Sequence, residues 1–530
     1  MVFDTIIDDI QLVDGTGNKR FPAALGVKGK KISAVAQKGE LKDGEKIISG
    51  GGKLLSPGFI DIHSHDDLIF WQDPYNMPKL FQGVTTVVTG MCGFSPFPLP
   101  EDKKRRQEFT RIRAIRGEGY PWTASDLFSY QKELKELKIG LNVVPFVGHG
   151  PLRNSILGFS PKKPDEKELL SMELLLEKAM IDGAFGLSTG LIYPPGAYSD
   201  TREIIALAKI LSKYEGLYFS HIRSESETMP QALEEAITIG REAGVPIHIG
   251  HFKCLGKKSW GKAQERLAIL DKAYTEGFPN SWDQYPYNAN STSLLSLLPP
   301  DTQEEGIEKL LINLGKKEYR SKLKDRIKKE EIWENFFLHA GWEGIMLSEV
   351  PGWEELEGKK VGQLISENKG NDPFELVFDA LQASSCSATM ITFTMSPGDL
   401  RTIVEHPRTA IGSDGMAGKG KEHPRMYGTF PRVFRKYVNE EKNLSVEEAI
   451  RKMTSLPAEI LGLKDRGIIK EGAFADLIIF DHEHFCDSAT YEEPRQLAKG
   501  VQMIMVNGEL VLEEGGLTKK RPGNVLKPKK

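Results

Sequence analysis

His63-Ser64-His65, Cys92, His149, His221, His251 and Asp414 lie far apart in the chain, yet each closes a short apolar run. The runs are GFIDIHSH (58–65), TTVVTGMCG (85–93), LNVVPFVGHG (141–150), LYFSHIR (217–223), PIHIGHFK (246–253) and TAIGSDG (409–415). Side chains two apart on an extended chain point the same way, so His63 and His65 can chelate one cation. Singly, each residue has an ordinary explanation, such as a buried apolar thiol for Cys92. Together, His63, His65, Cys92, His221, His251 and Asp414 form a nitrogen, sulfur and oxygen donor set that suits Zn²⁺. Zinc lowers the pKa of bound water toward ~7 and polarises carbonyl groups. A carboxylate beside it, Asp414, can take the proton of the nucleophile and return it to a leaving amine.

These residues need a scaffold that brings strand ends together. With AFGLSTG (184–190) and SWDQYPY (281–287) the apolar runs number eight, and amphipathic stretches such as EKELLSMELLLEKAMIDG follow most of them. That alternation predicts an α/β protein built on a (β/α)8 TIM barrel over residues 56–463, with the donors at the C-terminal ends of the strands. Residues 288–408 are too long for one β/α unit. The charged stretch 301–334 reads as two amphipathic helices, so a helical insertion after strand seven is expected at about 290–350. The two ends of the chain share another texture, short alternating runs broken by glycine, with an Asn507-Gly508 hairpin signal. Residues 1–55 and 464–530 are expected to form one small, discontinuous β-sandwich.

Composition narrows the function classes. The 530 residues are 39% apolar, ample for a large core and incompatible with a disordered chain. Seventy Lys and Arg against 74 Asp and Glu leave a net charge of −4, which argues against nucleic acid or an anionic membrane as partner. The basic end KKRPGNVLKPKK reads as a solvated tail. Four isolated cysteines with no CxxC pair fit a reducing compartment. With no basic-then-apolar leader and no run long enough to span a bilayer, the expected setting is the cytoplasm. Oligomeric state stays open.

The chain resembles the amidohydrolase superfamily and, within it, the N-acyl-D-amino-acid deacylase (D-aminoacylase) group. The motifs are PGFIDIHSHDD (57–67), GVTTVVTGMCGFSPFP (83–98), GAFGLSTGLIYPPGAYSD (183–200), FSHIRSE (219–225), GHFK (250–253), YPY (285–287), IGSDG (411–415), HPRMYGTFPRVF (423–434) and EGAFADLIIFD (471–481). The likeness runs from about residue 5 to 515. PGFIDIHSH and GAFADLIIFD are superfamily-level; the Cys92 context and HPRMYGTFPR belong to the deacylase group. The resemblance implies that Cys92, His221 and His251 hold one tight zinc. It implies that His63, His65 and Asp414 frame a second, weaker or partly occupied site, and that Asp414 is the acid/base. Many amidohydrolases bridge two metals with a carboxylated lysine. Strand four ends GLSTG and has none, and in the deacylase group a cysteine takes over near that position.

The resemblance also puts Tyr193, Lys253 and Tyr285 or Tyr287 around the scissile amide or acyl group. Lys253 follows His251 by two, on the same strand face. Arg223, two after His221, and Arg425 are alternative partners for a substrate carboxylate through arginine's bidentate fork. His149 falls outside the implied ligand set, which suggests a structural role. The implied activity is zinc-dependent hydrolysis of N-acyl-D-amino acids, small molecules, to a carboxylate and a free D-amino acid. Two alternatives stay open: an amidohydrolase acting on cyclic amides or dipeptide-like substrates, and a catalytically lapsed barrel serving as a scaffold.

Overall fold

The architecture comes from a computed structural model that describes residues 2–111, 120–367 and 372–528. Eight parallel strands form its centre: β1 (Phe59–Asp61), β2 (Val84–Thr89), β3 (Asn142–Pro145, continuing as Val147–Gly148), β4 (Gly186–Gly190), β5 (Leu217–His221), β6 (Ile247–Ile249), β7 (Asn280–Gln284) and β8 (Thr409–Ile411). All eight predicted runs are strands, in the expected order. Residues such as VTTVVT in β2 are buried throughout, as a parallel strand covered on both faces requires. The ladders run β1–β2–β3 and β3–β4–β5–β6–β7–β8. A parallel bridge from Ser64 to Gly415 joins β8 back to β1 and closes the barrel. Helices return the chain between strands. Glu166–Asp182 begins at a capping box between Asp165 and Glu168 and ends at Gly183 in the left-handed region.

Both chain ends join one nine-stranded ladder. Its hub is the strand Phe3–Leu12, irregular between Ile7 and Ile10. The first half pairs with Gly44–Ser49 and the second with Leu54–Pro57, because the bulge bends it between two neighbours. Leu54–Pro57 then pairs antiparallel with Leu477–Phe480, which ties the N-terminal strands to the C-terminal ones. Asn507 and Gly508, both at positive φ, turn Val501–Val506 into Glu509–Glu513. This unit has its own core, with Ile7, Leu25, Leu55, Leu477 and Met503 fully or almost fully buried.

The insertion after β7 is longer than expected. Its helices Ile307–Leu314 and Lys317–Lys329 fall where the charged stretch predicts them. The unit also contains a three-stranded antiparallel sheet of Asn290–Ser293, Thr389–Thr392 and Ile345–Glu349. A separate apolar core including Leu310, Leu347, Phe374 and Phe378 joins the two, so the unit extends well past residue 350. The basic C-terminal end is not a free tail through residue 528. Val525 bridges Val143 of β3, and Leu526 donates its N–H to the Val143 carbonyl. Lys529 and Lys530 lie outside the described residues.

Candidate metal centre and active-site cavity

The six donors meet at the C-terminal mouth of the barrel. His221 is the last residue of β5; the others sit just beyond their strands, where the chain turns. Three of them turn in an unusual way: φ is +51° at Cys92, +37° at His251 and +48° at Asp414. Non-glycine residues in this region cost on the order of 1–3 kcal/mol each and cluster at functional sites.

One ligand atom from each of His63, His65, Cys92 and Asp414 lies within 4.8 Å of the rest, and the same holds for Cys92, His221 and His251. Cys92 belongs to both groups. Its sulfur is 3.2 Å from His63 Nε2 and 3.3 Å from His251 Nε2. Asp414 Oδ1 is 3.1 Å from His65 Nε2. Burial alone would raise the Cys92 thiol, yet the charges of His63 and His251 and the contact with His251 hold it well below its usual range. Burial also opposes ionisation of Asp414, and Arg425, His251 and His65 outweigh it.

The arrangement fits a metal better than it fits an apolar core. Both ring nitrogens of His221 are buried without a hydrogen-bond partner, an expensive state for a polar group unless a cation accepts the lone pair. Cys92, His221 and His251 could hold a zinc ion through one sulfur and two nitrogens with a position left open, and His63, His65 and Asp414, with Cys92 beside them, form a second group of donors that could hold another. Two buried carboxylates hold these side chains. Asp283, inside β7, accepts from His63 Nδ1 at 3.1 Å, from His248 Nε2 at 3.0 Å and from the backbone N–H of His251 at 3.1 Å. Glu225 Oε1 accepts from Lys253 Nζ at 2.6 Å and lies 2.9 Å from His251 Nδ1. With Nδ1 donating to it, His251 turns the lone pair of Nε2 toward Cys92. Burial opposes ionisation of Glu225, but Lys253, His221 and His251 hold its carboxyl down at about 2. Neither carboxylate was singled out from sequence. Each carried one signal: an acid in a strand buried on both faces, and an acid four residues after a candidate ligand.

Strand four shows why no bridging lysine stands there. A Cβ on Gly190, the last residue of β4, would lie 2.1 Å from the Cys92 carbonyl oxygen. The loop that delivers the thiol therefore occupies the space a longer side chain at that position would need.

A cavity opens above the donors. Tyr193 lines it, edge-on to His221, and its hydroxyl accepts from Thr292 Oγ1 at 3.0 Å, so the insertion closes over the barrel there. Arg425 lines it too, with Nη1 2.8 Å from Asp414 Oδ2 and with a buried Nε that makes no hydrogen bond. Lys253, Tyr285 and Tyr287 stand behind the lining. Tyr285 lies under the Arg425 guanidinium, 4.6 Å from ring centre to Cζ, and Tyr287 is stacked against Arg432.

Arg223 is placed apart from this group. It forks onto Glu235, with Nε to Oε2 at 2.9 Å, and lines a neighbouring cavity. Alternation along a strand relates residues only while the strand lasts, and β5 stops at His221. His149 is likewise structural in its contacts, with Nε2 2.8 Å from Glu203.

A closed β/α barrel carrying histidine, cysteine and aspartate donors at its C-terminal mouth defines an amidohydrolase-type metal-site enzyme. Residues 366–512 match the model of the amidohydrolase family. The chain is 32% identical over 528 residues to N-acyl-D-glutamate deacylase of Alcaligenes xylosoxydans xylosoxydans, covering 99% of this chain and 96% of that one. It is 33% identical over 526 residues to D-aminoacylase of the same organism, covering 99% and 97%. A solved structure of N-acyl-D-glutamate deacylase from Bordetella bronchiseptica, complexed with zinc and a phosphonate mimic of the tetrahedral intermediate, superposes with a TM-score of 0.84 at 30% identity, covering 99% and 100%. The chain belongs to the D-aminoacylase group of the amidohydrolases.

Proposed function

We propose that the protein hydrolyses the linear amide of N-acyl-D-amino acids, releasing a carboxylate and a free D-amino acid. The observation that carries this reading is the pair of donor groups sharing Cys92 under a cavity lined by Asp414 and Arg425. Support for the D series comes from the relatives.

Zinc, when held by Cys92, His221 and His251, supplies the Lewis acidity that lets water attack at neutral pH. Asp414, kept ionised by Arg425, accepts a proton from the attacking water as the new C–O bond forms. It returns that proton to the amide nitrogen as the C–N bond breaks, so the amine leaves neutral. Arg425 is positioned to meet the substrate carboxylate through its unpartnered Nε–H. Asp283 and Glu225 keep His63 and His251 oriented. Tyr193 and the insertion shield the reacting centre from bulk water. A cyclic-amide specificity is disfavoured because the end of β4 has no room for the bridging lysine such enzymes use. Four unpaired thiols, one of them a proposed ligand, suit a cytoplasmic setting.

The test is zinc content measured together with turnover of N-acetyl-D-methionine, its L isomer and a hydantoin. Turnover of the D isomer alone, by a zinc-loaded protein, is expected. In the same assay Asp414→Asn should lose about 10²–10⁴-fold in kcat while the Cys92 site keeps its zinc. Near-normal turnover by that variant would remove Asp414 from the chemistry.

A further inference from the structure

The relatives' names cover both acidic and unrestricted amino-acid side chains at nearly equal identity, 32% and 33%, so identity does not choose between them. The cavity does. Resting on the deacylase reading, we propose that the site takes N-acyl-D-amino acids carrying a single negative charge, with an uncharged acyl group and an uncharged side chain, and that Glu334 turns away a second carboxylate.

The charges facing the cavity are few. Among its described lining residues Arg425 is the one side chain with a permanent positive charge, and Asp414 already lies 2.8 Å from it. One substrate carboxylate can share that guanidinium. A second would need another cation. Lys253 is buried behind the lining and given to Glu225. Ser291 and Thr292 offer hydroxyls but no charge, and Thr292 is used on Tyr193.

One lining residue repels an anion. Glu334, from the insertion, lines the cavity and is only 4% exposed. Its Oε2 accepts the backbone N–H of Glu225 at 2.7 Å, which fixes the carboxylate in place. Its other oxygen lies 2.7 Å from His339, which lines the neighbouring cavity and not this one. Ile192, Leu295, Leu298, Trp333 and Phe336 give the same cavity an apolar lining. A substrate carboxylate pushed into this region would lose its water and meet a like charge, whereas a leucine- or methionine-sized group would bury apolar surface. Glu334 thus has two jobs in one geometry, holding the Glu225 backbone and setting the sign of the pocket.

The experiment compares kcat/KM of the zinc-loaded protein on N-acetyl-D-leucine, N-acetyl-D-glutamine and N-acetyl-D-glutamate. Leucine should exceed glutamate by about 100-fold or more, the scale of discrimination that an unpaired buried charge produces, with glutamine between them. Glu334→Gln keeps the shape and the acceptor for the Glu225 N–H. It should raise the glutamate-to-leucine ratio by about 10-fold and leave the glutamine-to-leucine ratio within about twofold, since only the anion feels the lost charge. Glutamate turned over as well as leucine by the unaltered protein would overturn the proposal while leaving the deacylase reading intact. An unchanged glutamate-to-leucine ratio in the variant would overturn the role of Glu334. If the variant does not fold, the comparison in the unaltered protein still decides. A zinc-loaded protein inactive on N-acetyl-D-leucine and on every other N-acyl-D-amino acid would sink the deacylase reading itself.

Discussion

Asp283 Oδ2 lies 3.1 Å from His63 Nδ1, and the other nitrogen of the same ring faces Cys92 at 3.2 Å. The carboxylate thereby fixes which nitrogen of His63 is available to a cation. Outer carboxylates of this kind typically contribute 10–100-fold to metal affinity. Asp283→Asn should therefore weaken zinc retention by about that factor in a chelator competition, with the far-ultraviolet spectrum unchanged. Unaltered retention would reduce Asp283 to a packing residue of β7.

Cys92 belongs to both donor groups, and its substitution should show it. Serine loses the soft donor, and its hydroxyl is far harder to ionise than a thiol of pKa ~8.5. Cys92→Ser should strip the tight zinc and disturb any second ion. His63→Asn leaves Cys92, His221 and His251 in place, so about one zinc equivalent should remain with reduced activity. Metal analysis of the two purified variants separates these outcomes; a zinc-replete Cys92→Ser protein would end the assignment.

Much of this was legible in the sequence because the physics is local. A parallel strand buried on both faces must read as an apolar run, and a histidine or cysteine closing such a run stands out. What escaped depended on tertiary geometry. Asp283 is one acid in a strand, and only the fold brings His63, His248 and the His251 backbone to it. The left-handed turns at Cys92, His251 and Asp414 leave no mark in composition. Arg223 and Arg425 could not be ranked until the end of β5 was located. The insertion was underestimated because its strand NSTS (290–293) has neither apolar alternation nor β-branched weight to announce it.

Lys452 offers a test of the barrel floor that does not involve the metal. It is fully buried, with its ammonium on the carbonyls of His406 and Thr409. Burial, only partly offset by Glu448, pulls it from 10.5 down to about 7. Between those values the unfolded chain binds a proton that the folded one has lost, so this group makes stability rise with pH from about 7 to about 10.5. Below about 7 its full cost is present. Lys452→Met should be more stable than the unaltered protein near pH 7, and the difference should shrink by a few kcal/mol as pH approaches 10, at ~1.4 kcal/mol per pKa unit. Denaturant melts at several pH values check this; a difference that does not change with pH would refute it.

The two arginines give a paired test of carboxylate recognition. Arg425 lines the cavity with an unpartnered Nε and sits beside Asp414, whereas Arg223 is committed to Glu235 outside it. Lysine keeps the charge and loses the planar fork, so Arg→Lys isolates bidentate geometry. Arg425→Lys should lower kcat/KM for an N-acyl-D-amino acid by about 10–100-fold, the value of roughly 1.5–3 kcal/mol in a hydrogen bond to a charged group. On the methyl ester of the same substrate the loss should be smaller, because the ester presents no full charge to the fork. Part of the effect will persist there, since Arg425 also keeps Asp414 ionised, and the acid-to-ester ratio removes that shared part. Arg223→Lys should leave the ratio unchanged and cost at most about 1 kcal/mol of stability through its partly exposed pair with Glu235. A ratio that moves with Arg223 and not with Arg425 would reverse the assignment and place the substrate carboxylate in the neighbouring cavity.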